Sequence, residues 1–513
     1  MMKIKSAKRI TSAFLTLVMV LSFVGCSKNS EEEYSYYSTY DDNTASLTSE
    51  ASSRSIGTAG GIDGLDKNNE IKKGSGIIKT NEDAGSNAAD GTIKKSVTID
   101  SAGVGKSSDI AFPKRNLKDK TIYVFSWRDP NKSEFVAASK VAKDKLGMKI
   151  KHISTTHETY WNDLSSMIAS GKQVDLIDLE WDFYPRAITT NIVQPLEKYI
   201  DFNTPLWADF ASVINKYSYK DHIYFGIQNA MLGGLVYYNP KSFKELGLKT
   251  PRQYLEEDNW TLQTMTELAK KLTKKDKAGN VSRIGLVPSG DAIAAIAGVD
   301  IVEPSRQSNY KLNLKNSRIA KVMNAFYDMG VNGNGSCAIV APIKVLTNEA
   351  AMVMTASWAA TNEFEKLHSK GQLEWCIYPK LDKNSTYYYS VAAYPRWGMV
   401  KSAKNPEGAA AYIEVNKWTY LGQPWINDLP YPSTAYTKEY KVKSSSKFTD
   451  SEVKYTRELL SKNYPLVITN YATSYIGIQG FPGLYEVLNG ADWSSVLAKQ
   501  EPEIKATLNA YYK

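Results

Sequence analysis

Beyond about Lys118 the apolar positions switch between two periods. "KTIYVFSW" is a compact β-type run. In "SEFVAASKVAKDKLG" the residues Phe135, Ala138, Ala142 and Leu146 recur at helical spacing and Gly147 is a natural stop. "MKIKHIS" alternates as a second strand. "ETYWNDLSSMIASG" is a second helix ending at Gly171, with Trp161, Leu164 and Ile168 on one face, so Trp161 is assigned to the core. "VDLIDLEW" then runs as a buried strand. This β-α-β-α-β rhythm predicts a mainly parallel sheet flanked by helices. In such sheets ligands collect at the carboxyl ends of strands. Those ends are "SWRDP" and "LEWDF".

The N-terminal part has a different texture. Lys3, Lys5, Lys8 and Arg9 precede an apolar stretch from about Ala13 to Val24, which ends at small residues and Cys26. A basic start and a short apolar core describe a secretory signal, residues 1–25. At roughly 12 residues the run is short for a bilayer span. From Ser27 to about Asn116 the chain is rich in Ser, Gly, Asn, Lys, Glu and Thr and poor in large apolar residues. Such a segment buries too little surface to offset its ordering entropy, so 26–116 is expected to be a disordered tether. The nearly 400 residues beyond it favour at least two domains.

Composition narrows the function classes. The formal net charge of +9 is spread along the chain. No basic block carries interleaved aromatics, so nucleic acid is not an expected partner. Four scattered histidines and no cysteine cluster argue against a transition-metal site, and no cofactor is expected. Cys337 and Cys376 could pair in an oxidising exterior or stay free. With 33 Tyr, 11 Trp and 14 Phe the chain is rich in aromatics. Flat rings beside a few placed polar groups suit the apolar faces and hydroxyl edges of a sugar.

Several stretches in one order carry a resemblance. They are "YWNDLSSMIASGKQVDLIDLEW", "HIYFGIQNAMLGGLVYYNPKSFKELGLKTP", "NWTLQTMTELAKKLTKKDKAGN", "EAAMVMTASWAA", "WGMVKSAKNPEGAAAYIE" and "VLNGADWSSVLAKQEPEIKATLN". The chain from about Lys118 onward resembles the bacterial extracellular solute-binding proteins of family 1, the maltose-binding-protein-like group. "FVGC" resembles a bacterial lipobox, which implies lipidation of Cys26 and a mature protein anchored on the outer face of the cell membrane. The resemblance implies a two-lobed α/β fold of the periplasmic-binding-protein type II, each lobe a mainly parallel sheet flanked by helices, joined by hinge crossings. It places lobe 1 at 117–228, lobe 2 at 229–395, a return to lobe 1 at 396–450, and C-terminal helices mostly on lobe 2 at 451–513. It implies a monomeric receptor rather than an enzyme. The receptor would hold a small solute, a sugar or oligosaccharide, in an interlobe cleft and deliver it to the permease subunits of an ABC importer.

Site candidates follow from both lines of argument. Trp358, among small residues in "MTASWAA", matches a solute-stacking position of the family. Trp397 and Arg396 stand where the chain returns through the hinge. Trp127, Arg128 and Asp129 follow the first strand, and Glu180, Trp181 and Asp182 follow the third. A charged pair around a tryptophan at a strand end is costly to bury unpaired, so these loops either face solute or solvent. Asn229 and Met231 lie at the first crossing. Tyr475 and Phe481, in "SYIGIQGFPG", are candidates from lobe 2.

Other classes stay in view. A glycan-active enzyme needs two carboxylates across one bond, and Glu180 and Asp182 share one short loop. A nucleophilic hydrolase would want G-x-S-x-G, which is absent from the sequence. The tyrosine pair in "VYYNP" is read as structural, with Asn239 and Pro240 turning the chain. A peptide or polyamine binder, or a sensor, remains the alternative.

Overall fold

A computed structural model describes residues 110–512 except 132, 179–182, 217, 230–233, 306–308, 334, 341–347, 357–363, 365–370, 387, 392–393, 421–424, 427–428, 431–465 and 468–482. All described residues belong to the unit Glu70–Lys513. The chain opens with β1 (Thr121–Ser126), α1 (Ser133–Leu146), β2 (Lys149–Ser154), α2 (Tyr160–Ala169), β3 (Leu176–Asp178) and α3 (Phe183–Thr189). A 3-10 turn (Pro205–Phe210), α4 (Ala211–Lys216) and β4 (Phe225–Asn229) follow. Next come β5 (Gly234–Tyr238), α5 (Pro240–Lys244), α6 (Pro251–Glu256), α7 (Leu262–Leu272), β6 (Lys274–Lys275) and β7 (Val281–Val287). After α8 (Gly290–Ala297) the hairpin β8 (Val302–Ser305) and β9 (Asn309–Leu312) leads to α9 (Ser317–Tyr327), β10 (Ala350–Ala356) and β11 (Glu374–Cys376). The last part holds β12 (Ser390–Val391), β13 (Tyr394–Met399), α10 (Pro406–Thr419), β14 (Trp425–Ile426), β15 (Leu429–Pro430), β16 (Leu466–Val467), α11 (Leu484–Leu488) and α12 (Trp493–Tyr511).

Two five-stranded sheets organise these elements. The first has the order β2-β1-β3-β13-β4, the second β11-β5-β10-β7-β6. In the first, β2 and β3 run parallel to β1, and β13 is antiparallel to both β3 and β4. The strand that closes lobe 1 thus comes from far along the chain. In the second, β5 is antiparallel to β10 while β7 is parallel to it. The chain leaves lobe 1 between β4 and β5 and returns between β11 and β13. Near that return, β12 pairs in parallel with β16.

Local chemistry sets the element ends. Gly147 and Gly171, after α1 and α2, adopt φ of +67° and +68°, where a Cβ would be strained. The Asn239 side chain caps α5 with Pro240 at its first turn, and Tyr237 and Tyr238 are buried. Thr250 and Thr261 form capping boxes at α6 and α7. Asn405 caps α10. In lobe 2 the approach of α7 to β7 demands Gly285: a Cβ there would stand 1.8 Å from the Ala269 carbonyl oxygen. Helices α1 and α10 share one face of the first sheet, with Ser139 and Tyr412 hydroxyls 3.2 Å apart.

On α2 the deeply buried residues are Tyr160 and Leu164, whereas Trp161 is only partly buried. Leu164 lies on the expected face and Trp161 and Ile168 pack against the core from its edge, so the buried stripe is the expected one widened to include Tyr160. Cys337 and Cys376 are buried and form no disulfide bridge. Burial pushes the Cys337 thiol far up. Among the described residues no helix is long and apolar enough to cross a membrane, and no cluster of three metal-ligating side chains occurs.

Candidate functional site

The chemistry gathers at the carboxyl end of the first sheet. Asp178 closes β3, and its side chain is fully buried. The Ser126 hydroxyl, at the end of neighbouring β1, donates to Asp178 Oδ2 at 2.9 Å. The guanidinium of Arg128 stands 3.7 Å from the same oxygen with 10 % of its side chain exposed. The Arg128 backbone N–H also donates to Ser126 Oγ at 3.0 Å, so the loop after β1 folds back on its own strand. From α2 the Tyr160 hydroxyl donates to the Asp178 carbonyl oxygen, and its ring packs on Phe125 at 4.9 Å. Strand register explains the grouping: Phe125 pairs with Ile177, which brings Ser126 level with Asp178.

Two tryptophans rim this buried charge. Trp127 is half-buried, edge-on to His157 at 5.5 Å and under the Arg128 guanidinium at 5.3 Å. Trp161 is half-buried, edge-on to Tyr160 at 5.3 Å and faced by the Arg186 guanidinium of α3 at 4.6 Å. Arginine over an indole face is an attractive arrangement that also keeps the ring oriented. Nearby on β2, His152 lies edge-on to Phe135 at 5.3 Å. Burial lowers its proton affinity from the ordinary 6.5, against the opposing pull of Asp178.

The expected residues distribute unevenly over this geometry. Trp127 and Arg128 stand in the cluster. Asp129 is exposed beside them, its carboxylate accepting from the backbone N–H and side chain of Asn131 at 2.9 and 3.1 Å. Asn229 ends β4 and Arg396 lies within β13, where Asn229 pairs with Tyr394. Trp397 is 1 % exposed, its ring 6.0 Å from Phe135 of α1 and 5.6 Å from Tyr412 of α10. Its backbone stands level with Asp178 at the strand end, but its ring packs under the helices. A register shift between Pro395 and Trp397 interrupts the alternation of faces along β13. Glu180, Trp181, Asp182, Met231, Trp358, Tyr475 and Phe481 lie outside the described residues. Sequence reasoning did not single out Asp178, His157, Trp161 or Arg186 for the site. The available signal was an aspartate in the middle of an apolar strand run.

This arrangement can hold a neutral polar molecule: two indole faces, two guanidinium groups, and a buried carboxylate that fixes one of them. A profile for bacterial extracellular solute-binding proteins matches residues 137–437. The chain belongs to that family. Its members are binding proteins. Solved structures agree in fold with this solute-binding protein. The extracellular solute-binding protein of Staphylococcus aureus in complex with maltose superposes with a TM-score of 0.55 at 15 % identity, over 77 % of this chain and 99 % of its own. A sugar transporter protein of Rhizobium etli in an open conformation gives 0.55 at 12 % identity, over 75 % and 99 %. The maltose/maltodextrin-binding domain of Bdellovibrio bacteriovorus bound to maltotriose gives 0.51 at 14 % identity, over 76 % and 100 %. At these identities the likeness concerns the two-lobed type II fold. No curated relative matches the solute-binding protein in sequence.

Proposed function

We propose that this solute-binding protein is the receptor of an ABC importer and binds a sugar or oligosaccharide non-covalently between its lobes. The observation that carries the reading is the pairing of two half-buried indoles, Trp127 and Trp161, with arginines around buried Asp178 at the strand ends of lobe 1. Indole faces pack on the C–H faces of a pyranose, and guanidinium donors suit its hydroxyl oxygens. The maltose and maltotriose complexes of structural neighbours support the same solute class. A polyamine would need several carboxylates without cations, whereas the candidate set mixes Arg128, Arg186 and Arg396 with Asp129, Asp178, Glu180 and Asp182. Among the expected residues, Glu180, Trp181, Asp182, Asn229, Met231, Arg396, Trp358, Tyr475 and Phe481 are proposed to complete the site from the crossings and lobe 2.

Closure of the two lobes on the solute would follow from tighter binding to the closed state, with no bond made or broken. Residues 1–25 serve as the export signal. Cys26 becomes the acylated first residue of a monomer held on the outer face of the membrane by 26–116. A multiply acylated cysteine is a durable anchor, at about 0.8 kcal/mol per buried CH₂. The test is a thermal-shift panel of sugars, amino acids and polyamines, because a ligand of the native state raises its stability. Stabilisation by a sugar or oligosaccharide is expected. Stabilisation by a polyamine or peptide alone refutes the solute class, and glycoside turnover refutes the receptor role.

A further inference from the structure

The two ends of the first sheet carry opposite chemistry. At the amino ends of its strands the turns present Lys118, Lys120, Lys149, Lys172, Lys401 and Lys404, all exposed. Lys118 and Lys120 lead into β1, Lys149 opens β2, Lys172 precedes β3, and the other two follow β13 before α10. Backbone contacts tie these turns into one edge. The Lys149 N–H donates to the Lys120 carbonyl oxygen at 2.8 Å, and the Val400 N–H to the Asp175 carbonyl oxygen at 3.0 Å. Lys143 and Lys145, in the last turn of α1, lie beside them, with the Lys143 carbonyl oxygen accepting from Gly147 at 2.9 Å. Among the described residues none of those six edge lysines makes an ion pair.

The edge also carries acids, fewer than its lysines: Glu197 faces His222, and Asp221 precedes β4. Asp175 is buried and accepts from the backbone N–H groups of Tyr123, Lys404 and Asn405. Asp119 accepts from the Thr121 N–H, Asp144 pairs with Lys140, and Glu407 pairs with Arg115. The positive charge of these lysines is thus concentrated on one edge.

The chain also enters the fold beside this edge. Trp418 Nε1 donates to the Ile110 carbonyl oxygen at 3.1 Å, and Phe112 stands edge-on to Trp418 at 5.2 Å. Lys145 Nζ lies 5.1 Å from the Phe112 ring. Arg115 then locks the entering segment to Glu414 at 2.6 Å and Glu407 at 3.0 Å. The end of the tether is thus fastened next to the basic last turn of α1.

We infer that the lysine edge of lobe 1 docks on the anionic phospholipid surface of the membrane to which the tether leads. The inference rests on reading 26–116 as a membrane tether. On that reading, a random coil of the length of 27–109 would have an end-to-end distance of roughly 50 Å. That reach keeps the edge at a local concentration on the order of millimolar, so a weak surface contact suffices. Each lysine close to an anionic leaflet multiplies binding about fivefold. Docking by this end leaves the opposite strand ends, with Trp127 and Trp161, away from the lipid.

The test uses the mature chain from residue 27, made without lipid. It omits the anchor, so a failure of lipidation at Cys26 does not affect the result. All described residues lie beyond its start. Sedimentation with vesicles of phosphatidylcholine, alone or with about one third phosphatidylglycerol, reads the partitioning. Lys120→Gln, Lys149→Gln, Lys172→Gln and Lys404→Gln together are expected to weaken binding to anionic vesicles at least about a hundredfold. A control with Lys244→Gln, Lys271→Gln, Lys275→Gln and Lys277→Gln on lobe 2 has the same net charge and is expected to change it less than about threefold. An unchanged urea unfolding midpoint in both variants shows that they are folded. Equal losses in the two variants, no loss in the first, or equal binding of the parent to both vesicle types overturns the inference. Binding to soluble polyphosphate without binding to anionic vesicles overturns it as well.

Discussion

Asp178→Ala tests the centre of the site directly. Its carboxylate is fully buried, accepts from Ser126 at 2.9 Å and faces Arg128 at 3.7 Å. Alanine would leave a guanidinium with 10 % of its side chain exposed and its anionic neighbour gone. Removing one partner of a buried pair typically costs about 3–5 kcal/mol, because the remaining charge stays desolvated. The 3.7 Å separation is beyond hydrogen-bond range, which places the expected loss near the lower end, about 3 kcal/mol. Replacing both partners, as Asp178→Ala with Arg128→Met, removes the stranded charge and should recover at least about half of that loss. Urea unfolding at constant m reads each difference from the midpoint. A loss below about 1 kcal/mol for Asp178→Ala, or a double variant as unstable as the sum of the singles, would refute the reasoning.

Three further outcomes are expected. Trp161→Ala, and separately Trp127→Ala, should weaken sugar affinity at least about tenfold in calorimetry with little change in the unfolding midpoint, as loss of an aromatic anchor implies; unchanged affinity in a folded variant removes that ring from the site. Trp397→Ala should cost about 3–5 kcal/mol of stability, since its ring packs between Phe135 and Tyr412; a drop in solute affinity with no loss of stability would contradict its place in the core. Burial lowers the proton affinity of His152, so the unfolded chain binds that proton first as pH falls below the ordinary 6.5. Its contribution is therefore whole above 6.5 and declines below it until the folded form also takes the proton, and His152→Gln should flatten that slope in urea midpoints followed from about pH 7.5 to 5.

Sequence patterning carried the first half of lobe 1 closely. The periodic runs mark β1, α1, β2 and α2, and Gly147 and Gly171 sit in the left-handed region that a helix stop requires. Asn239 and Pro240 turn the chain as their chemistry suggests. The site was less legible for physical reasons. Asp178 looks like an oddity in an apolar strand until Ser126 and Arg128, about fifty residues earlier, are brought alongside by parallel pairing. Tyr160 and Trp161 are adjacent aromatics, and apolar spacing alone does not show which of the two is the deeper. Along β13 the register shift breaks the alternation from which the direction of Trp397 would be read.

The placing of β13 has a consequence for the order in which the molecule acquires its shape. All five strands of the second sheet lie between residues 234 and 376, so that sheet can form as soon as this stretch is free. The first sheet cannot. Its β4 touches β3 only through a strand that arrives with residues 394–399. On a chain delivered N-terminus first, β1 to β4 are expected to wait as an unfinished sheet while the second sheet forms after them. Limited proteolysis of chains ending at residue 393 is the check: 234–376 should resist and the earlier strands should be cut. Sheet formation then runs from the middle of the sequence outward, and the sheet beside Trp127 and Arg128 is the later of the two.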